Sequence, residues 1–99
     1  MKLVLTEAAK ADLIAIGDFI ALDNPVRAGS FVDELLDRCE SLAELPRAFP
    51  LVPRYEHWNI RRRVHGAYLI FYRIDDDVIH VIHILNGAQD FEALLFPDN

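Results

Sequence analysis

The stretch IRRRVHGAYLIFYRIDDDVIHVIHILNGAQD, residues 60–90, decides the fold. Residues 67–74 and 78–85 are rich in β-branched and aromatic side chains, and Asp75, Asp76 and Asp77 separate them. Such runs between turn-forming residues read as strands. Residues 59–64 precede them, mostly arginine between Ile60 and Val64, and His65-Gly66 supplies a second turn. The three pieces form an antiparallel meander. The last two are apolar on both faces, the pattern of strands covered from both sides. Asn86-Gly87 ends the last strand, and residues 90–96 read as one helical turn or a tail.

Upstream of the meander, Pro46, Pro50 and Pro53 mark residues 46–58 as a loop with room for a short extended piece. Before the loop, Ala28, Phe31, Leu35, Cys39, Leu42 and Leu45 recur every three or four residues, which predicts a helix running to Pro46. Asn24 suits its cap and Pro25 its first position. An earlier helix shows the same spacing at Ala9, Leu13, Ile16 and Ile20. Thr6 is its candidate cap, Glu7 sits in its first turn, and Gly17 lies inside it at a cost of about 1 kcal/mol against alanine. Asp12 and Asp18 are assigned to its wet side. The break at Asp23, Asn24 and Pro25 makes the two helices an antiparallel hairpin. Lys2–Leu5 reads as a first strand. The result is an α+β chain: N-terminal strand, helical hairpin, then the three-stranded meander. The apolar stripes of the hairpin must cover one face of the sheet. The 99 residues read as a single domain, 1–99, with no repeat or linker.

The composition is that of an ordinary globular chain, 53% hydrophobic and 26% charged. The slight apolar excess points to surface that a partner covers. A net charge of −6 disfavours broad nucleic-acid binding. The charge is uneven, however: Arg61, Arg62 and Arg63 form a dense basic cluster with Arg54 and Arg73 nearby in sequence. The single cysteine, Cys39, allows no internal disulfide and fits a reducing compartment. The first residues do not resemble a secretory leader, and no apolar run approaches the ~18 residues of a membrane span. A cytoplasmic location without membrane contact is therefore expected.

Little of the remaining chemistry points to a reaction. His80 and His83 lie three apart on a strand and point to opposite faces, while His57 and His65 lie in loops, so no metal site is expected. No cofactor signature is present: no P-loop, no glycine-rich phosphate cradle, no HExxH and no serine elbow. Cys39 falls on an apolar stripe and reads as a buried structural thiol. Tyr55, Tyr68 and Tyr72 read as packing residues with a polar tip. The three aspartates at 75–77 read as a solvated turn. The arginines are more informative. Arg61 and Arg63 share one strand face, and Arg62 takes the other with Ile60 and Val64. Either the Arg62 stem is tucked against those apolar neighbours, or the strand is an edge guarded by charge. Arg73 joins the cluster if the register brings it there. Guanidinium groups so placed suit carboxylates or phosphates.

Three stretches carry a resemblance to a known family: LTEAAKADLIAIGDFI (5–20), VRAGSFVDELLDRCESLAELP (26–46) and the meander quoted above. Together they make the chain, from about Leu3 to Leu94, resemble the ParE/RelE superfamily of bacterial toxins. The basic strand, the Tyr68 to Tyr72 strand, the aspartate turn, the final β-rich strand and the ending Asn86-Gly87-Ala88-Gln89-Asp90 follow in the family's order. The resemblance implies a toxin–antitoxin pair. A ParD-like antitoxin would fold its disordered C-terminal segment on this chain, and operator DNA would be contacted only through the antitoxin. RelE-like members cut messenger RNA with a C-terminal His or Tyr as acid or base. Here Leu85, Asn86, Gly87 and Ala88 occupy that end, and none can transfer a proton. Arg63 and Arg73 could still hold a phosphate. The ParE branch is therefore favoured: a poison of DNA gyrase that acts by binding and has no catalytic residue. Its candidate antitoxin- or target-binding residues are Arg61, Arg62, Arg63, Arg73, Asn86, Gln89 and Asp90. The family's ending usually has His at the position of Asn86 and Arg at that of Gln89, so a weak or altered toxin is one alternative. The others are a RelE-like endoribonuclease and a non-toxic relative that serves only as the antitoxin's partner.

Overall fold

A computed structural model describes residues 1–97 and arranges them as β1 (Lys2–Leu5), α1 (Glu7–Ala21), α2 (Pro25–Glu40), β2 (Ile60–His65), β3 (Tyr68–Asp75), β4 (Val78–Asn86) and α3 (Phe91–Leu95). The sheet order is β1-β4-β3-β2. β2, β3 and β4 form the expected antiparallel meander, and β1 joins parallel to β4 at the far edge. A parallel partner needs a long crossover, and the α1–α2 hairpin is part of it.

Local signals set the helix ends. Thr6 Oγ1 accepts from the Ala9 amide and Asn24 Oδ1 from the Arg27 amide, and Pro25 occupies the first turn of α2. α2 stops at Glu40, short of the expected end near Pro46. A 3-10 turn over Ser41–Ala43 follows and carries Leu42 into the core, while Leu45 is left outside it at 64% exposure. The Ser41 hydroxyl and the Arg63 guanidinium both donate to the Arg38 carbonyl, so the helix ends where side chains satisfy its last turn.

Each sheet face has its own apolar layer. On one, Ala9, Leu13 and Ile16 of α1 and Leu35 and Cys39 of α2 pack on Ile70, Tyr72, Ile79, Val81 and Ile84. On the other, residues from the 46–59 loop and α3 cover β3: Val52, Tyr55, Leu95 and Phe96 pack around Leu69 and Phe71. The Tyr55 and Phe96 rings stack with centroids 4.0 Å apart, and Trp58 meets Phe96 edge-on at 5.2 Å. This explains the two-sided apolarity of β3 and β4.

One register shift matters. Phe71 opposes His83 and Tyr72 opposes Val81, so Ile82 is an extra residue on β4. Ile82 packs into the second layer, and His83 reaches α1, where its Nδ1 lies 2.7 Å from Asp12 Oδ2. The same oxygen accepts from the Ile84 amide at 2.9 Å. Asp12 is therefore not on the wet side of α1: it ties the helix to the sheet.

Candidate functional site

The arginine strand forms in a register that splits the expected cluster. Ile60 pairs with Arg73, Arg61 with Tyr72 and Arg63 with Ile70. Directly opposed residues share a face. Arg61 and Arg63 therefore lie on the helix side, and Arg73 lies on the other side with Arg62. Arg73 donates from Nε to Asp75 at 2.9 Å and borders a cavity of ≈ 340 Å³ with His80, Trp58 and Thr6. It does not join Arg61 and Arg63.

β2 is an edge strand, as one of the two readings of Arg62 required. Its outer side is half covered. Leu51 bridges to Arg61, the Val52 amide donates to the Ile60 carbonyl at 2.9 Å, and the Arg62 amide donates to the Pro50 carbonyl at 3.0 Å. Arg61 and Arg63 fasten this region to the core. Arg61 Nη1 donates to the Phe49 carbonyl at 2.7 Å, and Arg63 Nη1 donates to Ser41 Oγ at 2.6 Å while its guanidinium stacks over Phe49. The Tyr72 hydroxyl donates to the Pro46 carbonyl at 2.7 Å. Burial, and next the charge of Arg38, holds Arg63 below the usual guanidinium value. Burial raises the Tyr72 hydroxyl and pushes the Cys39 thiol up to about 12, so this cysteine is a packed side chain and not a nucleophile.

Asn86, the last residue of β4, and the residues after it form a hydrogen-bonded turn. Asn86 Oδ1 accepts from the Ala88 amide at 2.8 Å, Gln89 Oε1 accepts from the Asn86 amide at 3.1 Å, and Asp90 caps α3 through the Ala93 amide. The Gly87 amide donates to the Ala67 carbonyl at 2.8 Å, and a Cβ at Gly87 would meet that oxygen at 3.5 Å, an ordinary contact. Asn86 and Gln89 also line one end of a groove of ≈ 420 Å³ with Ala15, Phe19 and Tyr68.

A second groove, ≈ 570 Å³, runs between α1 and α2 on the side away from the sheet, lined by Leu13, Ile14, Gly17, Gly29, Val32 and Leu36. The two grooves flank the outer ridge of α1. Ile14 lines the larger groove and Phe19 the smaller; with Leu22, just past the end of α1, and Val26, in the first turn of α2, they stand 65, 68, 82 and 85% exposed. The sequence reading did not single these residues out. Their signal was available: four large apolar residues that the core stripe of neither helix uses. Exposed apolar surface of this kind marks an interaction site.

The chain can now be set beside known proteins. A family profile described as "ParE toxin of type II toxin-antitoxin system, parDE" matches residues 3–91. No curated protein matches the sequence. Among solved structures, one titled "Chromosomal ParDE TA system from P. aeruginosa" superposes with a TM-score of 0.73 at 22% identity, covering 87% of this chain and 95% of that one. That likeness supports the fold, and the profile spans most of the sequence. The chain belongs to the ParE toxin family of type II toxin–antitoxin systems.

Proposed function

We propose that this ParE-family chain acts by binding and not by catalysis: it poisons DNA gyrase, and a ParD-like antitoxin neutralises it by folding an amphipathic segment onto α1 and α2. The observation that carries the antitoxin half is the outer side of the hairpin, where Ile14 and Phe19 stand exposed in two largely apolar grooves and Leu22 and Val26 are exposed at the turn between the helices. A helix presenting apolar residues at intervals of three and four would fill such a groove. Gly29 leaves room for it, since a Cβ there would meet nothing within 4 Å.

Family membership supports the gyrase half. So does the chemistry after β4. Leu85, Gly87 and Ala88 offer no proton-transferring group, and the amides of Asn86 and Gln89 are engaged in the turn. In this reading Asn86, Gln89 and Asp90 present a rigid loop beside the ≈ 420 Å³ groove, and Arg61, Arg62, Arg63 and Arg73 supply cationic binding surface. Operator DNA is reached only through the antitoxin, and the toxin works in the cytoplasm.

A supercoiling assay with purified gyrase tests the target. Inhibition with accumulated cleaved DNA is the expected result. Unaffected gyrase alongside cleavage of ribosome-bound message would replace this reading with the ribonuclease one.

A further inference from the structure

Lys10, Arg27, Arg54 and Arg73 each have a carboxylate partner. Arg38, Arg47, Arg61, Arg62 and Arg63 have none among the described residues, nor does Lys2 on β1 at the far edge, although the chain carries a net charge of −6. The five arginines lie on or beside one edge strand, β2. Arg61 and Arg63 lie on the helix side of β2 and Arg62 on the other side. The contacts of Arg63 with the Arg38 carbonyl and of Arg61 with the Arg47 carbonyl bring those two residues alongside. Unpaired like charges gathered in an acidic chain repel one another, and an anionic partner removes that cost.

The backbone at the same place is also open. The Ile60 carbonyl and the Arg62 amide point outward to residues 50–52, and the pairing stops there. On an antiparallel edge every second residue faces outward, so the N–H and C=O of Val64 do too. No hydrogen bond fills them among the described residues, and the Val64 side chain is 65% exposed. An exposed edge of this kind is a template for an added strand.

We infer that the open half of the β2 edge, around Val64, takes an extended acidic segment of the antitoxin as an added strand, with Arg38, Arg47 and Arg62 reading its carboxylates. Main-chain hydrogen bonds hold such a strand, and its alternate side chains meet guanidinium groups on both faces. A peptide fits better than a nucleic acid, because phosphates would use the arginines but not the outward backbone groups. The inference rests on the antitoxin reading and adds a second contact to the one on the helices.

The test uses the full chain with the antitoxin encoded beside it. Arg61 and Arg63 are left in place because they hold the fold. The triple variant Arg38→Glu, Arg47→Glu, Arg62→Glu should weaken the complex by roughly tenfold or more, with the loss shrinking at high salt. Val64→Pro, which removes an outward amide and fixes φ at an edge position, should weaken it while lowering the thermal midpoint by no more than a few degrees. Amide hydrogen exchange gives a readout that needs no variant: Val64 should exchange fast in the free toxin and become protected in the complex. A complex of full affinity in both variants, with Val64 still fast, overturns the inference and leaves the helix-groove contact standing. Failure of the antitoxin to bind the unaltered chain overturns both. Binding of a labelled DNA duplex that the triple variant abolishes, while antitoxin affinity is unchanged, would reassign the edge to phosphates.

Discussion

The inner and outer sides of the same helical hairpin make opposite use of apolar residues. On the inner side Ala9, Leu13 and Ile16 of α1, with Leu35 and Cys39 of α2, are closed against the sheet, none more than 7% exposed. On the outer side Ile14, Phe19, Leu22 and Val26 are all above 60% exposed. Residues of similar chemistry thus serve two purposes, and the difference lies only in position around the helix. The inner stripe holds the fold together. The outer one costs the free chain exposed apolar surface, and on the proposed function the antitoxin covers it.

Substitutions can break or sharpen this contrast. Leu35→Ala, at a site with no solvent exposure, should remove about 4 kcal/mol of stability, because it combines lost burial with a cavity. Chemical denaturation should show a lower midpoint at an unchanged slope. The paired outer change Ile14→Asp, Phe19→Asp should shift stability by no more than about 0.5 kcal/mol per site. Its effect should fall on the antitoxin, with affinity lower by roughly 30-fold or more, as for contacts at the centre of an interface. Equal stability losses on the two sides would erase the distinction.

Gly29→Ala sharpens the same point more finely. It adds a methyl group to open space in an exposed part of α2 and should stabilise the free chain by about 0.5–1 kcal/mol. Gly17→Ala meets Val32 Cγ2 at 3.3 Å and should gain less. Thermal melts of the two variants decide it, and an equal gain would mean that α1 and α2 move apart freely.

The smallest effect concerns pH. Glu34 accepts from Arg27 and lies 3.0 Å from His65 Nε2, and these hydrogen bonds hold its carboxyl below the usual 4.5. A lowered folded-state value contributes stability above the unfolded value, lost as pH falls through the folded one. The thermal midpoint of the unaltered chain should therefore decline more steeply below about pH 4.5 than that of Glu34→Gln. Parallel curves would mean that the exposed ion pair adds nothing.

Much of the architecture was legible in the residues. The caps at Thr6 and Asn24, the stripes from Ala9 to Ile16 and from Ala28 to Cys39, and the meander all follow local rules, and the strand ends fall within a residue or two of expectation. What local rules do not encode was missed. α2 ends early at a point where Arg63, distant in sequence, joins the Ser41 hydroxyl on the Arg38 carbonyl. Arg73 separates from Arg61 and Arg63 because the pairing register, set by the whole sheet, places it opposite Ile60. The placement of Asp12 depends on a β4 bulge that no local pattern announces. Asn86, Gln89 and Asp90 could be picked out from the family ending, but the hydrogen bond between Asn86 and Gln89 and the capping of α3 by Asp90 could not.

The central claim is that this chain is a toxin held in check by a partner. Induced expression of the chain alone in a bacterial cell, followed by growth and cell shape and repeated with a co-expressed ParD-like antitoxin, tests it most directly. Arrested growth with filamentation and a DNA-damage response, relieved by the antitoxin, is the result the account expects. Normal growth with soluble protein confirmed in the cells would contradict it, and the departures at Asn86 and Gln89 would be the first positions to restore.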